Sequence, residues 1–193
     1  MSETFVFNAT GYSPLVAELL REPRLPALGS GRENRSVATL LKQLSVETLF
    51  AGRSIADSNH AQACVSALWL WHDYLDESHT ISQSLETAEG SYWHGIMHRR
   101  EPDYFNAKYW FRRVGQHPIF PSLAKQAQQL ARQHTLDSPA AFLLSKSTWD
   151  PFQFIDLCEA IAHGKSRCES VAQEIAKLEW QWLFDYCWQH AIH

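Results

Sequence analysis

Ten histidines stand in this 193-residue chain, and six of them fall between His60 and His117. Two groups in that stretch have a spacing that can do chemistry. His72, Asp76 and His79, and then His94, His98 and Glu101, each run i, i+4, i+7, which on a helix brings three side chains within about a 60° arc. Imidazole together with carboxylate suits zinc, iron or manganese, whereas an all-oxygen set would suit magnesium or calcium. The expected cofactor is therefore a divalent transition metal held by His72, Asp76, His79, His94 and His98. His98 or Glu101 would move protons as the catalytic groups. The 31 His, Asp and Glu residues placed at random would give roughly 0.8 triplets of this spacing. A second reading therefore stays open, in which these histidines are hydrogen-bonded within an aromatic core or simply solvated.

The same stretch gathers positive charge, in Arg99, Arg100, Lys108, Arg112 and Arg113, within a chain of formal net charge −4. Local basicity focuses anions, guanidinium groups bind phosphate or carboxylate through paired N–H groups, and a helix beginning after Asp103 adds backbone donors. A small anionic ligand touching Arg99, Arg100, Ser91, Tyr104, Lys108 and Arg112 is expected. The alternative pairs Arg99 and Arg100 internally with Glu101, Asp103 and the acidic cluster Asp73, Asp76 and Glu77. Gly90 and Gly95 beside the second triplet remove side-chain bulk and admit a ligand or a neighbouring helix. Interleaved aromatics from Tyr92 to Phe111 would stack a planar ligand or build core. Ser91 lies one turn before His94, but Ser, His and acid on one helix do not assemble a triad without other elements. A third stripe, Asp156, Glu159 and His163, lacks the Glu-x-x-His pairs of ferritin-like di-metal bundles.

Helices must position these groups. Alternation of β-branched and polar residues is nearly absent, so the fold class expected is all-α, one domain over 1–193 with about seven to nine helices in a bundle-like or orthogonal array. Pro14, Pro23, Pro26, Gly29 and Gly31 mark 1–35 as an irregular arm with a short helix at Pro14 to Arg21. Further helices are expected over Val37 to Phe50, from an Asp57 cap to about Glu77, Thr87 to Arg100, Tyr104 to Val114 after Asp103, and Pro121 to His134. Two more follow Asp150-Pro151 and the Ser166-x-x-Glu169 capping box.

Composition narrows the function classes. Apolar residues make up 45% and charged residues 20%, as in ordinary globular domains, and eight tryptophans imply a heavily aromatic core with polar partners threaded into it. An acidic chain lacks the basic footprint of a nucleic-acid binder. The apolar runs are too short to span a bilayer, and no secretory signal precedes them, so a cytoplasmic location without membrane contact is expected, with a homo-oligomer open. Cys64, Cys158, Cys168 and Cys187 show no Cys-x-x-Cys spacing and read as buried core thiols.

His72-Asp73 resembles the metal-binding pair of the HD-domain phosphohydrolases, which would imply a divalent metal on His72 and Asp73 and phosphate at Arg99 and Arg100. That family's first histidine comes from an earlier helix, whereas His60 falls on the same predicted helix as His72. A longer likeness is to an uncharacterised all-helical family, carried by Trp71-His72-Asp73-Tyr74-Leu75-Asp76-Glu77-Ser78-His79, by Gly90-Ser91-Tyr92-Trp93-His94-Gly95, and by His98-Arg99-Arg100-Glu101-Pro102-Asp103-Tyr104. It continues from Asn106 to Gly115 and through His117-Pro118. This resemblance implies a helical fold and a place to look, without implying an activity. The functional expectation is a small-anion-binding protein with a His/Asp/Arg pocket, a metal-dependent hydrolase if catalytic. Its rival is a noncatalytic interaction module with a buried polar network.

Overall fold

Most helix starts fall where a side chain satisfies the first free N–H groups. In the computed structural model, which describes residues 5–193, Ser13 accepts from the Val16 N–H and opens α1 (Pro14–Leu19), with proline in the first turn. The first four residues of the expected arm lie outside the described residues. From Leu20 to Asn34 the chain carries no helix. A 3-10 turn then leads into α2 (Ala38–Leu41), and α3 (Val46–Leu49) follows. The helix expected over Val37 to Phe50 is thus divided. Ser45 Oγ accepts from the Thr48 N–H while Thr48 Oγ1 accepts from the Ser45 N–H, a reciprocal cap that starts a new helix in mid-pattern.

Asp57 caps α4 (Ser58–Trp71), accepting from the Asn59 and His60 N–H groups. This helix stops short of the expected Glu77 because Asp73 takes φ 66°, a left-handed conformation that Asp tolerates better than most residues. α5 (Leu75–Ser82) begins afresh beyond it. Thr87 caps α6 (Ala88–Arg100), Asp103 caps α7 (Tyr104–Val114), and Gly115 ends α7 at φ 65°. α8 (Phe120–Ala131), a 3-10 segment (Ser138–Leu144), α9 (Pro151–Ala162, capped by Asp150) and α10 (Glu169–Ile192) complete the chain. The Ser166/Glu169 capping box does not form. Ser166 Oγ instead donates to Asp137 and accepts from the Cys168 N–H, and α10 starts without a side-chain cap.

The fold is all-α, 64% helical, with no strand among the described residues. No helix there is long and apolar enough to cross a membrane. One continuous apolar cluster runs from Tyr12 to Ala191. Its spine is α10, where Trp180, Phe184 and Trp188 follow at i, i+4, i+8. The Trp180 and Phe184 rings stack 4.8 Å apart at 10°, and Phe50 lies 4.2 Å from Trp188. α10 packs against α4, α8 and α9, while α6 packs against α4, α5 and α7. Every residue of α6 from Glu89 to Arg100 is buried. A polar helix enclosed on all sides departs from the usual amphipathic pattern, and most of its charge is met by partners from other elements, while Trp93 Nε1, His94 Nδ1 and Arg99 Nη1 stay buried without one. All four cysteines are free and buried.

Candidate metal centre

α6 points two imidazoles one turn apart at α5. His94 Nε2 and His98 Nε2 stand 2.8 Å apart, and with His79 of α5 they form a trio whose ligating atoms all lie within 4.8 Å of one another. Two nitrogens about 2.0–2.1 Å from one ion stand roughly 2.9 Å apart at a right angle and about 3.3 Å apart at the tetrahedral angle. The observed pair is close to the first and needs a small opening for the second. His94 and His98 are buried and His79 is half-buried, so the trio opens outward at His79.

The surroundings assign protons. Glu101 Oε2 lies 3.1 Å from His98 Nδ1, while Asn106 Nδ2 lies 3.0 Å from His98 Nε2 and donates to it. His98 is therefore protonated on Nδ1, and its Nε2 lone pair accepts from Asn106 here. That lone pair would face an ion only once the Asn106 amide turns aside, the carboxylate–histidine pair then matching the carboxylate–histidine–metal arrangement. His94 lies flat on Trp110 of α7, the rings 4.0 Å apart at 15°, and its Nδ1 is buried without a partner. Burial, then His98 and His79, hold His94 down at about 3. Burial is also the main cause of the lowered His98 value. Both imidazoles are neutral near pH 7, the form a metal requires.

The other expected site residues lie elsewhere. The break after α4 separates His72 from His79, and Asp76 is exposed on the first turn of α5. His72 Nδ1 faces Arg24 Nη1 at 3.4 Å and Asn34 Nδ2 at 3.2 Å. Since both neighbours are donors, His72 carries its proton on Nε2. Burial, then Arg24, lowers it to about 4. Asp73 takes ion pairs from both Arg24 and Arg100. Arg100 also donates to the carbonyls of Leu70, Gly29 and Ser30, fastening the N-terminal arm to α6. Arg99 pairs with Glu179 at 2.6 Å and covers the Phe154 ring. Burial opposes its charge and Glu179 outweighs that, leaving Arg99 above its usual value. Neither guanidinium is free for an anion beside the histidines. Ser91 is buried, Tyr104 half-buried, Lys108 paired with Asp156 at 2.5 Å, and Arg112 exposed.

Asn106 and Trp110 are the contributors that the histidine spacing alone does not show. With Arg113, which lies over the Trp110 ring at 5.3 Å, they share one face of α7, legible as the 106–110–113 spacing. A second cluster stands at the other end of α6, where Glu89 lies 3.7 Å from His60 Nε2 and 3.5 Å from His117 Nε2. Burial raises Glu89, and His117 with His60 outweighs it, so the carboxyl sits below its usual value. No protein-family model, curated protein or solved structure matches this chain.

Proposed function

We propose that the protein binds one divalent transition-metal ion of the zinc class through His79, His94 and His98, and uses it for hydrolysis of a small substrate. What supports this is the convergence of three imidazoles from two helices at an outward-opening corner. Three protein ligands with a position to spare is the usual form of a catalytic zinc site, where the ion lowers the pKa of water. The chain's own residues prepare it. Glu101 sets the tautomer of His98, Asn106 holds its Nε2 until an ion displaces the amide, Trp110 fixes the plane of His94, and Arg113, over the Trp110 ring at 5.3 Å, adds a cation on the same face of α7.

Elemental analysis and zinc or cobalt titration of tag-free protein test the reading. About one equivalent is expected. His79→Ala should weaken binding by about 100-fold, and Glu101→Gln by about tenfold. Less than roughly a tenth of an equivalent, with no uptake on titration, overturns it.

A specific observation favours the noncatalytic module as second reading. Arg99, Glu179, Tyr92 and Trp149 form a buried network centred on Glu179 with almost no exposed surface, and His94 is equally enclosed. Zinc uptake without hydrolysis of any ester or phosphoester substrate would select it.

A further inference from the structure

A cavity of about 220 Å³ lies beside the arm, and its walls are of two kinds. Phe7, Trp71 and Trp180 supply aromatic faces, with the Trp71 and Trp180 rings 4.6 Å apart and the Phe7 and Trp180 rings 5.8 Å apart. Arg24, Lys177 and Gln181 supply polar ends, and the exposed Glu22 stands on the rim. Trp71 is 5% exposed, yet its Nε1 has no hydrogen-bond partner. A buried indole N–H normally finds one, and Trp71 lines both this cavity and a smaller void, so an acceptor, from a ligand or a water, belongs beside it. A void of about 20 Å³, room for one water, shares Trp71 and Trp180 with this cavity and also borders Arg99, whose Nη1 is likewise unpartnered.

Charge gives the sign of the missing group. Asp73 has one negative charge and takes two guanidiniums, Arg24 and Arg100, so that trio is left with a net positive charge. Arg24 lines this cavity and also a second one of about 290 Å³ on which His72 stands. The positive field of Arg24 helps keep His72 neutral, whereas burial is the larger cause. Lys177 adds a cation with no carboxylate partner among the described residues. The rim Glu22 opposes one of these charges and leaves an excess.

From these observations we infer that the cleft between the arm and α10 binds a one-ring aromatic anion, its ring against the aromatic wall that Phe7, Trp71 and Trp180 build together and its acid group toward Arg24 and Lys177. Pockets that pair aromatic walls with a few convergent polar groups are the usual form of small-molecule sites, and the volume here suits a single ring with its acid. This site is independent of the metal centre, and its ligand would be a carboxylate or a phosphate monoester.

Calorimetry and thermal unfolding of the full chain, with benzoate, phenyl phosphate, inorganic phosphate and benzyl alcohol as probes, distinguish the cases. At least one of benzoate and phenyl phosphate should bind, and the tighter one identifies the acid. Benzyl alcohol and inorganic phosphate should each bind about tenfold more weakly or not at all, because each lacks one half of the recognition. Lys177→Ala, a change on a half-exposed position that leaves the core untouched, should weaken the anion by about tenfold, and Lys177→Arg should restore most of it. The inference is overturned if neither aromatic anion gives heat or a thermal shift up to about 10 mM, if benzyl alcohol binds as well as they do, or if Lys177→Ala leaves their affinity unchanged.

Discussion

Glu179 has no exposed surface and accepts from three donors, Arg99 at 2.6 Å and the Tyr92 hydroxyl and Trp149 indole at 3.1 Å each. Glu179→Ala should cost about 3–5 kcal/mol in urea unfolding, because it leaves a buried guanidinium and two further donors unpaired. The histidines make a different statement about stability. His72 is held at about 4 and His94 at about 3, against an ordinary 6.5, so between those values and 6.5 the folded chain binds fewer protons than the unfolded one. Their contribution is complete above 6.5 and is lost as the pH falls. The urea midpoint of the metal-free protein should therefore drop between about pH 7.5 and about pH 5, and His72→Gln should flatten that drop. At this scale the sequence shows His94 and His98 as one-turn neighbours and offers His79 as a further candidate ligand. It does not show that His79 joins them without His72 and Asp76. Nor does it show that Arg99 and Arg100, adjacent in sequence, serve two different carboxylates, Glu179 and Asp73. Those pairings join positions far apart in the chain, and no local spacing encodes them.

Between elements, α6 and α7 meet where Gly95 faces Phe111, and a Cβ on Gly95 would stand 2.8 Å from that ring. Gly95→Ala should destabilise the protein by about 1–3 kcal/mol through overpacking, read in thermal or urea unfolding. The same variant should weaken zinc uptake, since Asn106 and Trp110 reach the trio from α7. Helix starts are the part of the architecture most open to sequence reading, because Asp57, Thr87, Asp103 and Asp150 each satisfy N–H groups within their own turn. The end of α4 is hidden for the opposite reason. His72-Asp73 interrupts an unbroken apolar pattern with neither glycine nor proline, and what accompanies the left-handed turn is an ion pair to Arg24 in the arm and Arg100 in α6. The burial of α6 is equally invisible locally, since its charged residues are enclosed only because distant partners meet them.

For the molecule as a whole, a metal held across α5 and α6 as proposed would couple its binding to folding. Zinc at about 100 times its dissociation constant should add about 2.7 kcal/mol and raise the thermal midpoint by roughly 5–10 °C, a gain removed by a chelator and absent in His79→Ala. The fold class, the aromatic core and the buried thiols follow from composition and pattern, whereas the arm's cavities could not, since they arise from where an irregular segment lies across α4 and α10. The sulfurs themselves carry a last consequence. Burial pushes the Cys64 and Cys187 thiols well up and Cys158 up to about 11, and these three positions sit on α4, α10 and α9. A thiol reagent can thus modify them only in molecules that have transiently come apart, so the rate at which each is labelled is a clock for the opening of its own helix, built into the chain without any added probe.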